Sequence, residues 1–292
     1  MPTCGHALAA VTSNGVPVPF DDEHFMSLPD SSSLLDDPDA LRTRFAEEGC
    51  LLLRGILDPA AVCRLRGAYF SRFGSGYLAA GTSPADGMFS GRVPRDLPPH
   101  GTPGHPAHAF VRCPEFAAFV ADPRLALPAR LLLGGDVVVL PRQILRHFTA
   151  GSRTASRAHI DHDYMDRGTD RVVTTWVPVG DCPLEAGGLV YLERSHQLGR
   201  ADLAPLHAVT DRPHDRRVIS HDLARTAERL GRRWQWADYR PGDVAVHSPH
   251  VVHASLDTTT PRMRMSVDVR FIRAGDQADE RWSRPWSGDD GN

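Results

Sequence analysis

The 292-residue sequence contains no lysine, so all 33 of its Lys and Arg positions are arginines. Any anionic ligand must therefore be held by arginine, by histidine or by backbone N–H groups. The formal net charge is only -3, which offers no surplus of positive charge for nucleic acid or an anionic membrane surface. A composition of 41% hydrophobic and 24% charged residues is that of an ordinary globular protein.

Cysteine is also scarce, and its five positions are scattered. Cys4, Cys50, Cys63, Cys113 and Cys182 show no CxxC spacing, and their number is odd. This distribution argues against a disulfide framework or a zinc site. It is typical of reduced thiols in a cytoplasmic protein.

Long apolar runs are missing too. No stretch approaches the roughly 20 apolar residues that span a bilayer, and residues 1–14 lack the basic start and apolar stretch of a secretory signal. The length suits one large domain or two small ones, and we find no repeat or linker that divides the chain. We therefore expect a cytoplasmic protein with one main domain over residues 36–274 and a polar tail over 275–292.

The first half of the chain has helical character. Residues 1–35 mix Pro, Ser and short apolar stretches, which predicts an irregular arm. Helical periodicity runs from Asp37 to Gly49, and a second helix follows Asp58, a typical N-cap residue. Residues 73–108 are rich in Gly, Pro and Ser, and irregular segments of that length are often lids or binding loops. Other expected elements are a strand over Leu51–Leu53 and helices over 115–121 and 125–133.

From residue 137 onward, short apolar runs separated by turn residues predict strands. They cover residues 137–140, 143–147, 158–164, 171–179, 187–192, 243–247 and 262–272, with a helix near 224–230. Several short strands after a helical N-terminal part predict a mainly β protein with flanking helices. The strands are expected to form a double-sheet jelly roll.

The stretch from Ala158 to Tyr164 holds the pattern that we interpret as one end of a metal site. On a strand, His159 and Asp161 project from the same side, so an imidazole and a carboxylate can take adjacent positions on one metal ion. His253 is the best candidate for a third ligand. Two histidines and one carboxylate that leave other positions open form the facial triad of non-haem Fe(II) oxygenases.

Neighbouring residues leave other ligand assignments open. A His-x-Asp pair is a weak motif by itself, because two polar residues at period two are common on half-exposed strands. His162 is expected on the opposite face of the strand, and Asp163 one step further from the metal. His247 and His250 precede His253 and are expected to be ordinary or substrate-facing side chains.

In the last predicted strand, apolar and polar residues alternate. One face carries Met263, Met265, Val267, Val269 and Phe271, and the other carries Arg262, Arg264, Ser266, Asp268 and Arg270. Such a strand usually has one face in water, but in a jelly roll that face can line the cavity. Arg264 and Ser266 would then offer a planar guanidinium and a hydroxyl to a carboxylate. Asp268 and Arg270 are expected to pair with each other or with neighbours.

From roughly Ala40 to Ile272, the sequence resembles the phytanoyl-CoA dioxygenase family of Fe(II)- and 2-oxoglutarate-dependent oxygenases. The motifs that carry the resemblance stand in one order: Glu48–Gly55, His159-x-Asp161, Glu185–Leu189, Ser195–Gly199, Pro241–Asp243, His253-x-Ser255 and Arg264-x-Ser266. The run from Thr260 to Arg270 looks most like bacterial members that hydroxylate small molecules in antibiotic and terpenoid pathways.

The resemblance implies a double-stranded β-helix fold with iron at one end. It implies that His159, Asp161 and His253 hold the iron. It also implies that Arg264 pairs with the distal carboxylate of the co-substrate 2-oxoglutarate, with help from Ser266.

Two further contacts to the co-substrate are expected from the resemblance. In related enzymes a polar residue on the strand before the His-x-Asp pair reaches 2-oxoglutarate, and strand phase predicts Gln143 or His147 for that role. Trp176, on the strand after the motif, is expected to wall the same pocket.

The implied reaction uses Fe(II), 2-oxoglutarate and dioxygen to hydroxylate a C–H bond of a small molecule. Desaturation and ring closure can start from the same substrate radical, and the ligands do not distinguish these outcomes. Halogenation is disfavoured, because related halogenases have Ala or Gly where Asp161 stands. Two further hypotheses are a non-catalytic binding protein on the same scaffold and a zinc or manganese enzyme of the cupin type. Arg264 and Ser266 argue against the cupin-type enzyme.

Substrate contacts are expected in the loops over residues 77–108, 153–157 and 200–217. The arginines in these loops suggest an acidic or phosphorylated small molecule. The first loop also carries Arg92, Arg95, His100, His105 and His108, which are more often solvated loop residues.

Overall fold

Two six-stranded β-sheets dominate the computed structural model, which describes residues 10–287. The strands are β1 (Ala10–Ser13), β2 (Val16–Pro19), β3 (Phe25–Ser27), β4 (Cys50–Leu53), β5 (Val137–Val139), β6 (Ile144–Phe148), β7 (Ala158–His159), β8 (Val172–Pro178), β9 (Leu189–Leu192), β10 (Val218–Ser220), β11 (Trp234–Trp236), β12 (Val244–His247), β13 (His253–Ser255) and β14 (Arg264–Arg273). The helices are α1 (Pro38–Glu48), α2 (Pro59–Phe70), α3 (Pro106–Phe110), α4 (Pro114–Val120), α5 (Pro123–Leu133), α6 (Arg200–His207) and α7 (Leu223–Leu230).

The strand order is that of a jelly roll. One sheet runs β10-β7-β13-β9-β11-β3, and the other runs β4-β12-β8-β14-β5 with β6 also paired to β14. Neighbouring strands are antiparallel except β11 and β3, which are parallel. This arrangement confirms the predicted mainly β fold with flanking helices. None of the helices in the described part of the chain is long and apolar enough to cross a membrane.

The helix boundaries follow from a few local residues. Each of α1 to α5 begins with a proline, whose fixed φ and missing N–H suit the first helical position. The Asp37 and Asp58 carboxylates accept hydrogen bonds from the backbone N–H groups of Ala40 and Ala60. Helix α1 ends at Gly49, whose φ of 76° favours glycine. The predicted first helix and the Asp58 cap are confirmed.

Strand β14 is buried on both faces, and its two faces meet different surroundings. Met265 and Val267 belong to the apolar cluster that also contains Leu65 of α2 and Leu125 of α5. The opposite face, which includes Arg264, is also buried. The polar face of the predicted last strand is therefore turned into the molecule, where the cavity lies.

The prediction of an irregular N-terminal arm over residues 1–35 is wrong for the described part. Strands β1 and β2 form a hairpin whose turn is Asn14-Gly15, with φ of 54° and 79°. Asn-Gly is the dipeptide that a two-residue hairpin turn prefers. The Asp257 carboxylate accepts hydrogen bonds from both turn N–H groups, at 3.0 and 2.7 Å. The Asn14-Gly15 dipeptide is therefore a local signal for a hairpin, and the distant Asp257 stabilises the turn that it forms.

The predicted polar tail over residues 275–292 is described only up to residue 287, and this part contains two buried side chains. Trp282 and Trp286 are 4% and 1% exposed, and both belong to the cluster under helices α2, α4 and α5. Polar residues surround the two tryptophans in the sequence. The average composition of the segment therefore did not indicate that these two side chains pack into the core.

The long segment before α3 has no helix or regular strand between residues 74 and 105, as expected. His105 and His108 are nevertheless buried, whereas the sequence favoured solvated loop positions. Cys50, Cys63, Cys113 and Cys182 are free thiols, and Cys4 lies outside the described residues.

Candidate metal centre and adjoining cavities

His159, Asp161 and His253 converge at the junction of two paired strands. His159 on β7 lies directly opposite His253 on β13, and their rings are 4.2 Å apart. The Nε2 atoms of both histidines lie 3.8 Å from Asp161 Oδ1. One ligand atom from each residue falls within 4.8 Å of the others, and within residues 10–287 this is the one such group of His, Cys, Asp or Glu.

Asp161 reaches this position in a different way from the one predicted. Strand β7 ends at His159, and Asp161 begins a 3-10 turn over Asp161–Tyr164. Ile160 between them is still extended, with φ of -115° and ψ of 138°. Because one extended residue separates them, His159 and Asp161 share a side as they would on a strand.

Backbone carbonyls orient both imidazoles. His159 Nδ1 donates to the Arg157 carbonyl at 2.7 Å, and His253 Nδ1 donates to the Val251 carbonyl at 3.1 Å. Each Nε2 is thereby left with its lone pair toward Asp161, which is the arrangement of metal-binding histidines. Burial lowers the pKa of His159, and it lowers the pKa of His253 well below the usual value. Both rings are therefore neutral and able to donate an electron pair to a metal.

The two oxygens of Asp161 have different surroundings. Oδ1 faces the histidines, whereas Oδ2 accepts hydrogen bonds from Thr174 Oγ1 at 3.0 Å and from Arg270 Nε and Nη2 at 3.2 and 2.9 Å. His247 Nε2 lies 3.5 Å from the same Oδ2. Burial by itself would raise the pKa of Asp161, but the charge of Arg270 and the surrounding histidines outweigh it and hold the pKa well below the usual value. Asp161 is therefore an anion at neutral pH.

A small inner cavity adjoins the triad, and Arg264 reaches into it. Arg264 is 2% exposed, its Nη1 donates to Ser266 Oγ at 3.0 Å, and its guanidinium lies 3.9 Å from the centre of the Phe148 ring. Its Nε and Nη2 have no acceptor among the described residues. Burial lowers the pKa of Arg264 to about 10, so the side chain is still a cation. A buried cation with unpaired donors is a site prepared for an anion.

The structure places some of the predicted co-substrate residues in the inner cavity and others outside it. Ser266 and Trp176 line it. Gln143 does not, because it precedes β6 and its amide donates to the Leu140 carbonyl. His147 does not either; its ring nitrogens hydrogen-bond to the hydroxyls of Tyr69 and Tyr77, at 2.8 and 2.5 Å, on the other face of β6.

The predicted phase of β6 was therefore wrong. Residues that stand directly opposite each other in an antiparallel pair share a face. Ser266 stands opposite Arg146, so Arg146 is the β6 side chain that reaches the inner cavity. Arg146 also forms an ion pair with Asp268. The alternation of β6 by itself allowed both phases, and only its register with β14 decides between them.

A larger cavity of about 460 Å³ opens outside the triad. His159, Asp161, Arg146 and Arg270 line both cavities, so the two adjoin each other. The larger one has six arginines in its wall: Arg142, Arg146, Arg157, Arg212, Arg217 and Arg270. Its apolar wall consists of Ile144, Phe148, Val218 and Trp282, together with the edges of other side chains.

All three loops that were predicted to bind substrate contribute to this wall. Pro99 and His100 come from the first, residues 154–157 from the second, and Arg212, Asp215 and Arg217 from the third. Several of the arginines are paired, Arg157 with Asp211 and Arg217 with Asp215.

For other residues near the triad, the contacts differ from those that the sequence predicted. His247 was expected to be ordinary or substrate-facing, yet it is buried against Asp161 and its Nδ1 hydrogen-bonds to the Tyr191 hydroxyl at 3.2 Å. Arg270, expected to pair locally, pairs with Asp161 instead. His162 and His250 lie against each other, with ring centroids 4.6 Å apart. No local signal in the sequence identifies the Arg270 contact, because 109 positions separate the two residues.

A family model described as phytanoyl-CoA dioxygenase matches residues 45–266, a range that contains the triad, Arg264 and Ser266. Solved structures with the same fold include the epimerase SnoN in complex with Fe3+, alpha ketoglutarate and nogalamycin RO, which is 17% identical, with 83% of this chain and 86% of that chain covered and a TM-score of 0.56. The carbocyclase SnoK from nogalamycin biosynthesis is 17% identical, with 86% and 89% covered and a TM-score of 0.57. EvdO2 from Micromonospora carbonacea var. aurantiaca, complexed with 2-oxoglutarate, is 18% identical, with 83% and 95% covered and a TM-score of 0.52.

Proposed function

The chain belongs to the phytanoyl-CoA dioxygenase family, and on that premise we propose that it hydroxylates a C–H bond of a small molecule in natural-product biosynthesis. Fe(II) and 2-oxoglutarate are its cofactor and co-substrate in this proposal. The observation that carries it is the group of His159, Asp161 and His253 beside the buried Arg264, whose Nε and Nη2 lack an acceptor among the described residues. Similar structures that contain iron or 2-oxoglutarate, or that come from antibiotic biosynthesis, support it.

His159, Asp161 and His253 would hold the iron. Two neutral imidazole nitrogens and one carboxylate oxygen are the donor set that Fe(II) takes in this geometry. When bound, iron together with 2-oxoglutarate and dioxygen supplies the oxidative chemistry that breaks the C–H bond, while the protein supplies binding and orientation. Asp161 keeps a carboxylate at the position where chloride binds in related halogenases, which disfavours halogenation.

Arg264 would hold the distal carboxylate of 2-oxoglutarate, with Ser266 beside it. Arg264 Nε and Nη2 would donate hydrogen bonds to the oxygens of this carboxylate. Hydrogen bonds between charged groups are stronger than neutral ones. The Trp176 ring would wall the same pocket. Phe148 lies against the guanidinium and limits its orientations.

The substrate in this proposal is a small molecule with an acidic group. Six arginines line the larger cavity. Four of them form ion pairs with aspartates: Arg146, Arg157, Arg217 and Arg270. The proposal rests on Arg212, for which no ion pair with a carboxylate is seen among the described residues. The test uses pairs of compounds in which one member has a carboxylate and the other has a carboxamide at the same position. Substrate-coupled oxygen consumption is measured for both members. The acidic member should be turned over with the lower KM, and consistent preference for the amides would contradict an acidic substrate.

Metal and keto-acid binding test the oxygenase proposal directly. Anaerobic protein loaded with Fe(II) should develop an iron–keto acid absorption band when 2-oxoglutarate is added, and succinate should form after air is admitted. His159→Ala should abolish both signals, because a triad without one imidazole binds iron poorly. Arg264→Ala should keep iron binding but require at least about tenfold more 2-oxoglutarate, the loss of a charge-assisted hydrogen bond of about 1.5–3 kcal/mol.

The matched controls are His214→Ala and Arg273→Ala, which remove exposed side chains of the same types. Both should behave as wild type. If the wild-type protein shows no spectral sign of keto acid on iron, the oxygenase proposal is wrong and a binding protein on the same scaffold is favoured. If metal is bound but 2-oxoglutarate is not, a cupin-type metalloenzyme is favoured instead.

Ring closure is the second candidate outcome of the same chemistry. The similar structure SnoK is described as a carbocyclase, and the metal-binding residues are compatible with both reactions. Mass spectrometry of the product separates them, because hydroxylation adds one oxygen atom and ring closure removes two hydrogen atoms.

A further inference from the structure

The Asp161 carboxylate is held asymmetrically, and this asymmetry bears on how it could bind a metal. Its Oδ2 already accepts three hydrogen bonds, one from Thr174 and two from Arg270, whereas Oδ1 faces the two histidines. An oxygen that accepts several hydrogen bonds, two of them from a cation, is a poor ligand for a second bond to metal. The carboxylate can therefore offer one oxygen, and not two, to an ion between His159 and His253.

Arg270 is itself fixed by its surroundings. It is 4% exposed, and its guanidinium lies 4.3 Å from the centre of the Trp282 ring, a stacked cation–π contact. Trp282 is held in turn, because its Nε1 donates to the Tyr164 carbonyl at 3.0 Å and its own carbonyl accepts from the Arg142 N–H at 3.3 Å. The Arg270 guanidinium is therefore held between the Trp282 ring and Asp161, with Nε and Nη2 donating to Oδ2.

Neither Arg270 nor Trp282 lies within residues 45–266, the range that matches the family model. Trp282 comes from the C-terminal segment, beyond the end of β14 at Arg273. Two of the three hydrogen bonds to Asp161 Oδ2 are thus contributed by a part of this chain that the family match does not include.

We propose that Arg270, stacked on Trp282, is a positioning residue that makes Asp161 a one-oxygen ligand and so keeps a metal position open for the keto acid. This inference rests on the proposed function. In an octahedral site the triad takes one face, and a keto acid that binds through two atoms needs two of the remaining positions. A carboxylate that bound through both oxygens would occupy one of the three remaining positions and would compete there with the keto acid, and if both bound, no position would be left for dioxygen.

The positioning role predicts separate effects on metal binding and on keto-acid binding. Arg270→Gln removes the charge and one of the two bonds to Oδ2, so Asp161 is free to turn. Loss of such a supporting partner typically weakens metal affinity about 10–100-fold. On protein saturated with metal, 2-oxoglutarate should also bind at least about tenfold more weakly, because the second carboxylate oxygen competes for its position.

Anaerobic titrations with Co(II), which has visible absorption bands sensitive to coordination number, measure both steps. The Co(II) spectrum of Arg270→Gln without keto acid should differ from that of the wild type. Arg264→Gln serves as the matched comparison: it should weaken keto-acid binding but leave the Co(II) affinity and spectrum unchanged. A residue that only stabilised the fold would lower the melting temperature without changing the spectrum or the keto-acid affinity of metal-saturated protein.

Two other variants keep the test informative if Arg270→Gln does not fold. Arg270→Lys retains the charge but cannot present two parallel N–H groups, and it should show the same spectral change with a smaller loss of metal affinity. Trp282→Ala should lie between wild type and Arg270→Lys, and Trp282→Phe, which keeps an aromatic face, should be close to wild type.

The outcomes separate this inference from the proposed function. If wild-type protein binds Co(II) and 2-oxoglutarate while Arg270→Lys and Trp282→Ala match it in both affinities and in spectrum, the positioning role is overturned and the oxygenase proposal stands. If wild-type protein binds neither, the proposed function itself fails.

Discussion

Thr174 and Thr175 are consecutive residues of β8 with opposite hydrogen-bonding states. Both are fully buried. Thr174 Oγ1 donates to Asp161 Oδ2 at 3.0 Å, whereas Thr175 Oγ1 has no partner in the described chain. A hydrogen bond to a charged group contributes about 1.5–3 kcal/mol, and a buried hydroxyl without a partner costs about 1–3 kcal/mol. Removal of the two hydroxyls should therefore have opposite effects.

Valine has the shape of threonine without its hydroxyl, so it isolates this difference. We expect Thr174→Val to lower the free energy of unfolding of the metal-free protein by about 1.5–3 kcal/mol. Thr175→Val should leave that free energy unchanged or raise it. Urea unfolding at neutral pH measures both, and equal losses in the two variants would show that Thr174 contributes no specific bond to Asp161.

Two buried arginines differ in the same way as the two threonines. Arg270 has an anionic partner in Asp161, whereas within residues 10–287 Arg264 contacts the Ser266 hydroxyl and the Phe148 ring and no carboxylate. The family predicts a carboxylate from outside the protein for Arg264. Arg264 Nε and Nη2 have no acceptor among the described residues, which supports the proposed role.

At the scale of elements, the C-terminal segment that follows β14 packs against the helices and against the candidate site. Trp286 is 1% exposed, its ring lies 4.2 Å from that of His108, and its carbonyl accepts from Arg112 Nη2 at 2.9 Å. Trp282 lines the larger cavity and stacks on Arg270. The segment therefore joins the helical side of the fold to the candidate site.

Trp286→Ala tests whether the segment is an anchor. Removal of a buried tryptophan side chain typically costs about 3–5 kcal/mol, so a large decrease in the free energy of unfolding is expected. Arg284→Ala, two residues earlier and exposed, is the control and should be nearly neutral. A change of less than about 0.5 kcal/mol, the usual range for surface positions, would mean that the segment does not pack against the helices in solution.

At the scale of the whole molecule, a histidine cluster joins the long segment over residues 73–108 to the β-sheet. The rings of His105 and His147 are stacked with centroids 5.6 Å apart, and His100 Nε2 donates to the Leu145 carbonyl at 2.9 Å. Burial lowers the pKa of His105 to about 4 and that of His147 to about 3. The segment is therefore held by neutral imidazoles.

This cluster predicts a loss of stability in acid. Because the folded-state pKa of His105 lies below the unfolded value of about 6.5, the unfolded chain takes up its proton first as the pH falls. The free energy of unfolding should therefore decrease between about pH 6.5 and pH 4. Each such histidine contributes a slope of up to about 1.4 kcal/mol per pH unit.

The variant His105→Asn keeps a capping side chain for α3 but removes the titrating ring. Urea unfolding across this pH range should show a shallower slope than in the wild type, by up to one proton. The exposed His214→Asn is the matched control for the substitution itself. An unchanged slope in His105→Asn would place its pKa near the unfolded value and contradict its burial.

Much of the fold followed from local patterns. The Asp37 and Asp58 caps, the Gly49 stop and the alternation of residues 262–272 predicted α1, α2 and β14, since each depends on neighbours within a few positions. The ordered motifs also identified the family and the three triad residues. The Asn14-Gly15 hairpin was a local signal of the same kind that composition obscured.

What only the tertiary structure decided were contacts between residues far apart in the chain. The face of β6 that meets the cavity depends on its register with β14, because a strand by itself can present either face. The Arg270–Asp161 pair and the Trp282 stack join segments that nothing in their local sequence connects. The sequence by itself indicated His159, Asp161 and His253 as a candidate metal site and Arg264 with Ser266 as a candidate anion site, since that depends on residue type, spacing and motif order. Only the tertiary structure showed that Arg270 pairs with Asp161, and that two donors of Arg264 have no acceptor among the described residues.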